Sequence, residues 1–238
     1  MRPIFYILML TSFNAFSNSS DSIFIIGNNY YENEFYEKAI ESYLSVDSTE
    51  HAHALYHNIG NCYYQTGDIA SSILFYERAL LLKNDLQTKE NLNLAKKRIQ
   101  EIESIPKLFF IQWWNSIAQF SNTKSWLIFT CISVWISCFL LFIFLENRQK
   151  GTFNLLLMAV VFTILLVLIS QRSNYLSKKT YAIVMKKTSL LSNISQTKPK
   201  QIAPGNKVEI IKYQEDNSLV KLSNGEIGLV RRSAIEEL

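Results

Sequence analysis

Two long uncharged segments lie close together in the middle of the chain. Residues 126–145 (WLIFTCISVWISCFLLFIFL) and residues 153–170 (FNLLLMAVVFTILLVLIS) contain no charged side chain, and seven residues separate them. A helix of roughly 20 apolar residues crosses the ~30 Å hydrocarbon layer of a bilayer. The sequence therefore predicts two transmembrane helices joined by a short loop at 146–152. Such a hairpin returns the segments before and after it to the same side of a membrane.

The N-terminal segment has the pattern of a secretory signal peptide. Arg2 supplies a positive charge, residues 4–10 are apolar, and Ala15 and Ser17 place small residues at the −3 and −1 positions of a cut after Ser17. An uncleaved anchor or a buried first helix is the alternative interpretation of residues 1–17. We expect cleavage, and the mature chain would then begin outside the cytoplasm.

Charges next to the spans give conflicting indications of orientation. A leader that starts the chain outside puts the loop in the cytoplasm, and Arg148 and Lys150 in that loop agree with the positive-inside rule. The basic residues that follow the second span disagree with it, and they are Arg172, Lys178 and Lys179. Because the leader acts first, we predict that both flanking segments lie on the outer side.

The sizes and composition of the flanking segments narrow the classes of function. About a hundred residues precede the hairpin and about sixty-five follow it, so neither segment can bury a large enzyme core. A net charge of +4 gives no argument for a nucleic-acid partner. The sequence shows no Ser/His/Asp or Cys/His set, no paired-carboxylate pattern and no glycine-rich phosphate loop. We therefore expect no catalytic residues and no cofactor.

Residues 18–104 contain an internal repeat. Gly27-Asn28 recurs as Gly60-Asn61, and Tyr43 recurs as Tyr76. These recurrences share one period of about 33 residues, a length that is typical of stacked helix pairs. The predicted helices are 22–32, 36–46, 52–65 and 69–82, and a further helix within 85–104 is predicted to cap the second repeat.

These positions resemble the signature of the tetratricopeptide repeat. The matching residues are Tyr56, Ile59, Gly60, Tyr63, Gly67, Tyr76 and Ala79 in the second copy, and Ile26, Gly27, Tyr30, Ala39 and Tyr43 in the first. Glu34 stands where the family prefers glycine, and Ser72 where it prefers alanine. The resemblance implies an α-helical solenoid that binds protein segments on its concave face.

Transferred by position, that concave face carries a set of polar and aromatic side chains. They are Phe24, Asn28, Tyr31, Glu32, His57, Asn61, Tyr64 and Gln65, with Lys97 and Arg98 on the capping helix. The recurrence of an Asn-x-x-Tyr pair in both copies favours a peptide-binding groove. A hydrated polar face without a partner is the alternative.

Three histidines in the second repeat invite interpretation as a metal site. His53 and His57 are one helical turn apart, and His51 is close in sequence. The pattern offers no carboxylate or cysteine to complete a ligand set. We predict surface histidines and no metal.

An aromatic segment separates the repeats from the first span. Tryptophan is enriched at the boundary between membrane and water. The segment contains Trp113 and Trp114, and Trp126 is the first residue of the span that follows. We predict that residues 105–125 form an amphipathic helix on the outer leaflet, with these three tryptophans at the surface of the lipid bilayer. A helix buried against the repeats is the alternative.

Residues 179–238 have the period-two pattern of short strands. The candidate strands are 180–185, 189–191, 207–213, 218–222 and 226–230. Asn224-Gly225 between the last two is a strong hairpin signal because both residue types tolerate positive φ.

The same segment resembles bacterial SH3-like domains. The residues that carry the resemblance are Ala182-Ile183-Val184, Pro204-Gly205, Val220-Lys221-Leu222 and 224–230. The resemblance implies a small all-β barrel. Aromatic residues that the family has near 217–219 and at Leu229 are missing, which argues against binding of the cell wall through them.

The complete order of segments resembles the BatE-type proteins of the Bacteroides aerotolerance group. The expected fold is multidomain: an all-α tetratricopeptide solenoid, a two-helix transmembrane hairpin and a small all-β SH3-like barrel. The resemblance implies a two-pass scaffold in a bacterial inner membrane, with both soluble segments in the periplasm. It also implies partners among other membrane-anchored proteins of the group, including those with von Willebrand A-type domains. The alternative is a cell-envelope protein that binds peptidoglycan through the SH3-like domain.

Overall fold

The chain forms two compact units in its computed structural model, which describes residues 21–47, 52–99, 102–103, 106, 108–191 and 200–238. One unit contains the described residues up to 103 together with those from 180 onward. The other contains the described residues between 105 and 179. The signal peptide predicted at 1–17 lies outside the described residues.

Paired helices make up the first part of the first unit. They are α1 (helical at 21–32), α2 (Tyr36–Leu44), α3 (Ala52–Thr66), α4 (Ile69–Leu82) and α5 (Leu86–Lys96). Asp68 caps the start of α4 by accepting a hydrogen bond from the Ser71 amide. Gly67 makes the turn before it with φ +88°, a conformation that glycine adopts without strain.

Glycine lets the helices of each pair approach closely. A Cβ atom added to Gly60 would lie 2.6 Å from the Tyr76 ring, and one added to Gly27 would lie 2.5 Å from the Tyr43 ring. Both tyrosines are almost fully buried. The same contact thus recurs in both pairs at equivalent positions of the repeat, and the predicted helical repeat is confirmed.

The capping helix is shorter than its sequence pattern predicts. α5 ends at Lys96, and Leu86 at its start is 70% exposed although the pattern assigns it to the core. Leu92 and Ala95 are buried against the preceding repeat. The apolar pattern continues past the end of the helix because Ile99 packs in the same core without belonging to α5.

The C-terminal part of the first unit is an antiparallel sheet. Its strands are β1 (Thr180–Val184), β2 (Thr188–Leu190), β3 (Lys200–Ile202), β4 (Lys207–Tyr213), β5 (Asn217–Lys221), β6 (Ile227–Arg231) and β7 (Ile235–Glu237). Five strands pair in the order β6-β5-β4-β1-β7, and β2 pairs with β3. A bridge between Leu191 and Leu229 joins this ribbon to β6. Within the described strands the pairings do not close a barrel, so the predicted antiparallel strands are confirmed and the barrel stays a prediction.

The sheet packs directly on the repeat helices. Ile183 of β1 is fully buried in the same apolar cluster as Ile73 of α4 and Ile99. The backbone of Ile102 is also bound, because its amide donates to Asn206 Oδ1 at 2.8 Å and its carbonyl accepts from Ser223 Oγ at 2.8 Å. The sheet therefore covers the apolar surface that the short α5 leaves open.

The second unit consists of α6 (Phe109–Gln119), α7 (Thr123–Asn147) and α8 (Lys150–Ser177). α7 and α8 form an antiparallel hairpin that contains the spans predicted at 126–145 and 153–170. Hydroxyl groups join the two helices, since Ser133 Oγ lies 2.7 Å from Thr163 Oγ1 and Thr123 Oγ1 lies 3.1 Å from Ser173 Oγ.

The hairpin helices are each long and apolar enough to cross a membrane. In each, only 6% of the most apolar 18-residue window is buried within the structure. A core helix of a soluble protein would instead bury most of that surface.

Candidate partner-binding groove

An open groove lies between the first and second repeats and α5. Its volume is about 250 Å³. The lining residues are Tyr31, Asn61, Tyr64, Gln65, Tyr76, Gln87, Asn91 and Leu94. Aromatic rings and side-chain amides thus dominate a surface that carries a single aliphatic side chain, Leu94, which is 50% exposed.

Four of the residues predicted for the concave face meet in this groove: Tyr31, Asn61, Tyr64 and Gln65. Arg98 is close to this group, with its guanidinium carbon 5.0 Å from the centre of the Tyr64 ring. Glu32 and Lys97 are exposed at positions outside the lining.

Asn28 and Asn61 have structural partners within the repeats. The Tyr43 hydroxyl donates to Asn28 Oδ1 at 2.6 Å, and the Asn58 amide donates to the same oxygen at 3.1 Å. One repeat later, Asn61 Oδ1 accepts from the Tyr76 hydroxyl at 2.7 Å and from the Asn91 amide at 3.0 Å. Asn28 therefore joins the two repeats, and Asn61 joins the second repeat to α5.

Two other predicted residues lie away from the groove. Phe24 packs against the Tyr43 ring, with 5.6 Å between ring centres. The prediction of a surface histidine is wrong for His57, which is 8% exposed and has its Nδ1 2.8 Å from Thr88 Oγ1. Burial lowers the pKa of the His57 imidazole, so the ring is neutral near pH 7 and serves the packing between α3 and α5.

The residues of α5 that form one wall of the groove were not predicted from the sequence. Gln87, Asn91 and Leu94 lie at helical spacing on one face of α5. Asn91 follows Asn58 by one period of the repeat, so the period itself was a signal that α5 continues the series of first helices. Tyr76 was assigned to packing, and its ring also reaches the floor of the groove.

The three tryptophans predicted for the membrane interface all belong to the second unit. Trp113 of α6 is 57% exposed, and Trp114 is half-buried. Trp126 is half-buried on α7, and its Nε1 donates to the carbonyl of Ala118 at 3.2 Å. That bond fixes the end of α6 against the start of α7.

Metal-ligating side chains do not cluster in the described residues. No group of three His, Cys, Asp or Glu within them is arranged to hold a metal ion. His51, the third member of the histidine set, lies outside the described residues.

Comparison with known proteins identifies the second repeat. A tetratricopeptide repeat family model matches residues 53–86, which cover α3 and α4 and reach the start of α5. No curated protein matches the chain. Tetratricopeptide repeats are protein-interaction modules, so the match indicates protein partners in general.

Proposed function

We propose that the chain is a non-catalytic, membrane-anchored scaffold that binds extended segments of other proteins in the groove between its repeats. The observation that supports this best is the groove itself, whose walls come from three successive first helices. In these repeats the first helices line the concave face on which partners dock.

The chemistry of the groove suits an extended peptide. The side-chain amides of Gln65 and Gln87 offer donors and acceptors that complement a peptide backbone. The Tyr64 ring and Leu94 offer apolar surface for one side chain of the partner. Arg98 adds a positive charge at the rim, which favours a partner segment with an acidic residue there.

The hairpin provides the anchor in this proposal. Few residues of the most apolar window of α7 or of α8 are buried within the structure, and the hydrocarbon layer of a bilayer would cover such apolar side chains. The order of segments resembles BatE-type aerotolerance proteins, which favours an inner-membrane location with the repeats and the sheet in the periplasm. By the same resemblance, the partners are other membrane-anchored proteins of that group, including those with von Willebrand A-type domains, and the sheet is an SH3-like module.

A pull-down of the full chain with two matched variants tests the groove. Leu94→Glu places a charge in the groove, whereas Leu86→Glu places it on the same helix at a more exposed position outside the groove. We expect membrane proteins to co-purify with the parent and with Leu86→Glu but not with Leu94→Glu. Identical partner lists for both variants would remove the groove from the proposal.

Peptidoglycan binding is the competing hypothesis, and the sheet would have to carry it. Because Ile183 and Leu238 pack in the core of the repeats, an isolated C-terminal fragment would expose them. Sedimentation with murein is therefore measured on the full chain in detergent. If the chain is a scaffold, we expect it to stay in the supernatant. Co-sedimentation of the chain with murein would favour peptidoglycan binding.

A further inference from the structure

An open cavity lies at the end of the hairpin where α6, α7 and α8 meet. Its volume is about 550 Å³. The lining residues are Ala118, Gln119, Ser121, Asn122, Thr123, Lys124, Ser173, Leu176 and Ser177. One lysine, Lys124, thus lines the cavity together with serine, threonine and amide side chains, although apolar atoms make up most of the lining surface.

The cavity lies at the level where the apolar spans begin and end. Lys124 comes two residues before Trp126, and Ser173 comes three residues after the uncharged run ends at Ser170. The Trp126 indole, bonded to the Ala118 carbonyl, belongs to the same junction. Interfacial tryptophans mark the height of lipid headgroups, so the cavity opens at the height of lipid phosphates.

Positive charge gathers at this end of the second unit. The described basic residues on this side of the spans are Lys124, Arg172, Lys178 and Lys179. Residues 105–179 contain one acidic side chain, Glu146, and it lies at the opposite end next to the loop. Within residues 108–179, the carboxylate of Glu146 at the loop end is therefore too far along the hairpin to balance Lys124 or Arg172.

Arg172 precedes the lining residue Ser173 on α8, and neutral groups hold its side chain. Its Nε donates to Asn115 Oδ1 at 2.9 Å, and its guanidinium carbon lies 5.0 Å from the Tyr175 ring centre. The Lys179 ammonium lies 5.1 Å from the centre of the same ring. Because an amide and an aromatic ring do not neutralise a guanidinium, the positive charge of Arg172 still attracts an anion.

We propose that this cavity binds the phosphate group of an anionic phospholipid, with Lys124 as the charged contact and the hydroxyl of Ser121 as a hydrogen-bond donor. Basic residues at a membrane surface attract anionic headgroups. The assignment gives a role to Arg172, Lys178 and Lys179, whose charges otherwise oppose the orientation of the hairpin. It rests on the proposed membrane anchor and is independent of the groove.

The test measures lipid retention by the full chain in native mass spectrometry. The parent, Lys124→Gln and Lys150→Gln are each titrated with phosphatidylglycerol and with phosphatidylcholine. Lys150→Gln is the matched control because this exposed lysine lies at the loop end of the hairpin. Lys124 is itself exposed, so its replacement leaves the packing of the helices unchanged.

We expect the parent to prefer phosphatidylglycerol, and Lys124→Gln to weaken that binding about fivefold while Lys150→Gln leaves it unchanged. Equal losses in the two variants, or equal affinity of the parent for the two lipids, would overturn the proposal. Displacement of the lipid by millimolar inorganic phosphate would also overturn it, since the ligand would then be free phosphate.

Carbonate extraction of membranes separates failure of the anchor from failure of the lipid site. If carbonate extracts the chain from membranes, the chain is not anchored, and both the anchor and the lipid site are contradicted. A chain that stays in the membrane and shows no effect of Lys124→Gln contradicts the lipid proposal alone. The Leu94→Glu pull-down is unaffected by either result.

Discussion

The Glu77 carboxylate of α4 accepts a hydrogen bond from the Lys207 ammonium at the start of β4, with 2.6 Å between Oε2 and Nζ. The two residues are 130 positions apart in the sequence. Lys96 of α5 donates to the other oxygen of Glu77 at 3.2 Å. One buried carboxylate therefore joins the second repeat, the capping helix and the sheet.

Replacing Glu77 with glutamine should loosen this junction. Glutamine keeps the shape but removes the charge, and we expect a loss of about 1–3 kcal/mol in local stability. Hydrogen exchange of the full chain should show weaker protection in α4, α5 and β4. The control is Glu90→Gln on the exposed side of α5, where a change within about 0.5 kcal/mol is expected. Equal effects of the two substitutions would contradict the role of Glu77.

The contribution of Glu77 should also depend on pH. Burial by itself raises the pKa of this carboxyl, but Lys207 and Lys96 outweigh it and hold the pKa below the ordinary value of 4.5. The stabilisation is then complete above pH 4.5 and is lost as the pH falls below it through the folded-state pKa. The difference between the parent and Glu77→Gln should shrink over that range. If the difference instead grew as the pH fell, the lowered pKa of Glu77 would be contradicted.

Gly60→Ala tests the close approach of α3 and α4. The added methyl group meets the buried Tyr76 ring, and overpacking of this kind costs about 1–3 kcal/mol. The gain in helix propensity of up to about 1 kcal/mol offsets only part of it. We expect a lower midpoint of thermal unfolding by circular dichroism. Gly151→Ala, with no heavy atom within 4 Å of the new Cβ, should not lower it.

A double-mutant cycle tests the hydrogen bond between Tyr76 and Asn61. Tyr76→Phe removes one hydroxyl and should cost about 1 kcal/mol. Asn61→Ala leaves both the hydroxyl and the Asn91 amide without this acceptor and should cost more, about 1–3 kcal/mol. The double mutant should be less destabilised than the sum of the two. Strict additivity would show that the bond contributes nothing.

The repeat pattern in the sequence predicted local contacts well and long-range ones poorly. Gly60 and Tyr76 lie on the two helices of one repeat, and their contact follows from the repeat signature. The Asn-x-x-Tyr recurrence was interpreted as a groove, yet the structure shows that Asn28 and Asn61 also join successive first helices. Glu77 and Lys207 carry no local signal at all, because docking of the sheet depends on the shapes of two surfaces formed by distant segments.

Labelling of single engineered cysteines tests the topology. Glu37→Cys lies on the exposed surface of α2, Gln214→Cys in an exposed turn of the sheet, and Gln149→Cys in the loop between α7 and α8. In cells with a permeabilised outer membrane, an impermeant maleimide should label the first two. Gln149→Cys should react only after the inner membrane is opened. The reverse pattern would place the repeats and the sheet in the cytoplasm.

The scaffold proposal is tested most directly by site-specific photocrosslinking in membranes. Benzoylphenylalanine replaces Gln65 or Gln87 on two walls of the groove, and Glu90 on the outer side of α5 serves as the control. We predict that Gln65 and Gln87 crosslink to the same membrane protein and that Glu90 does not. The same products from all three positions, or products from Glu90 alone, would contradict binding in the groove.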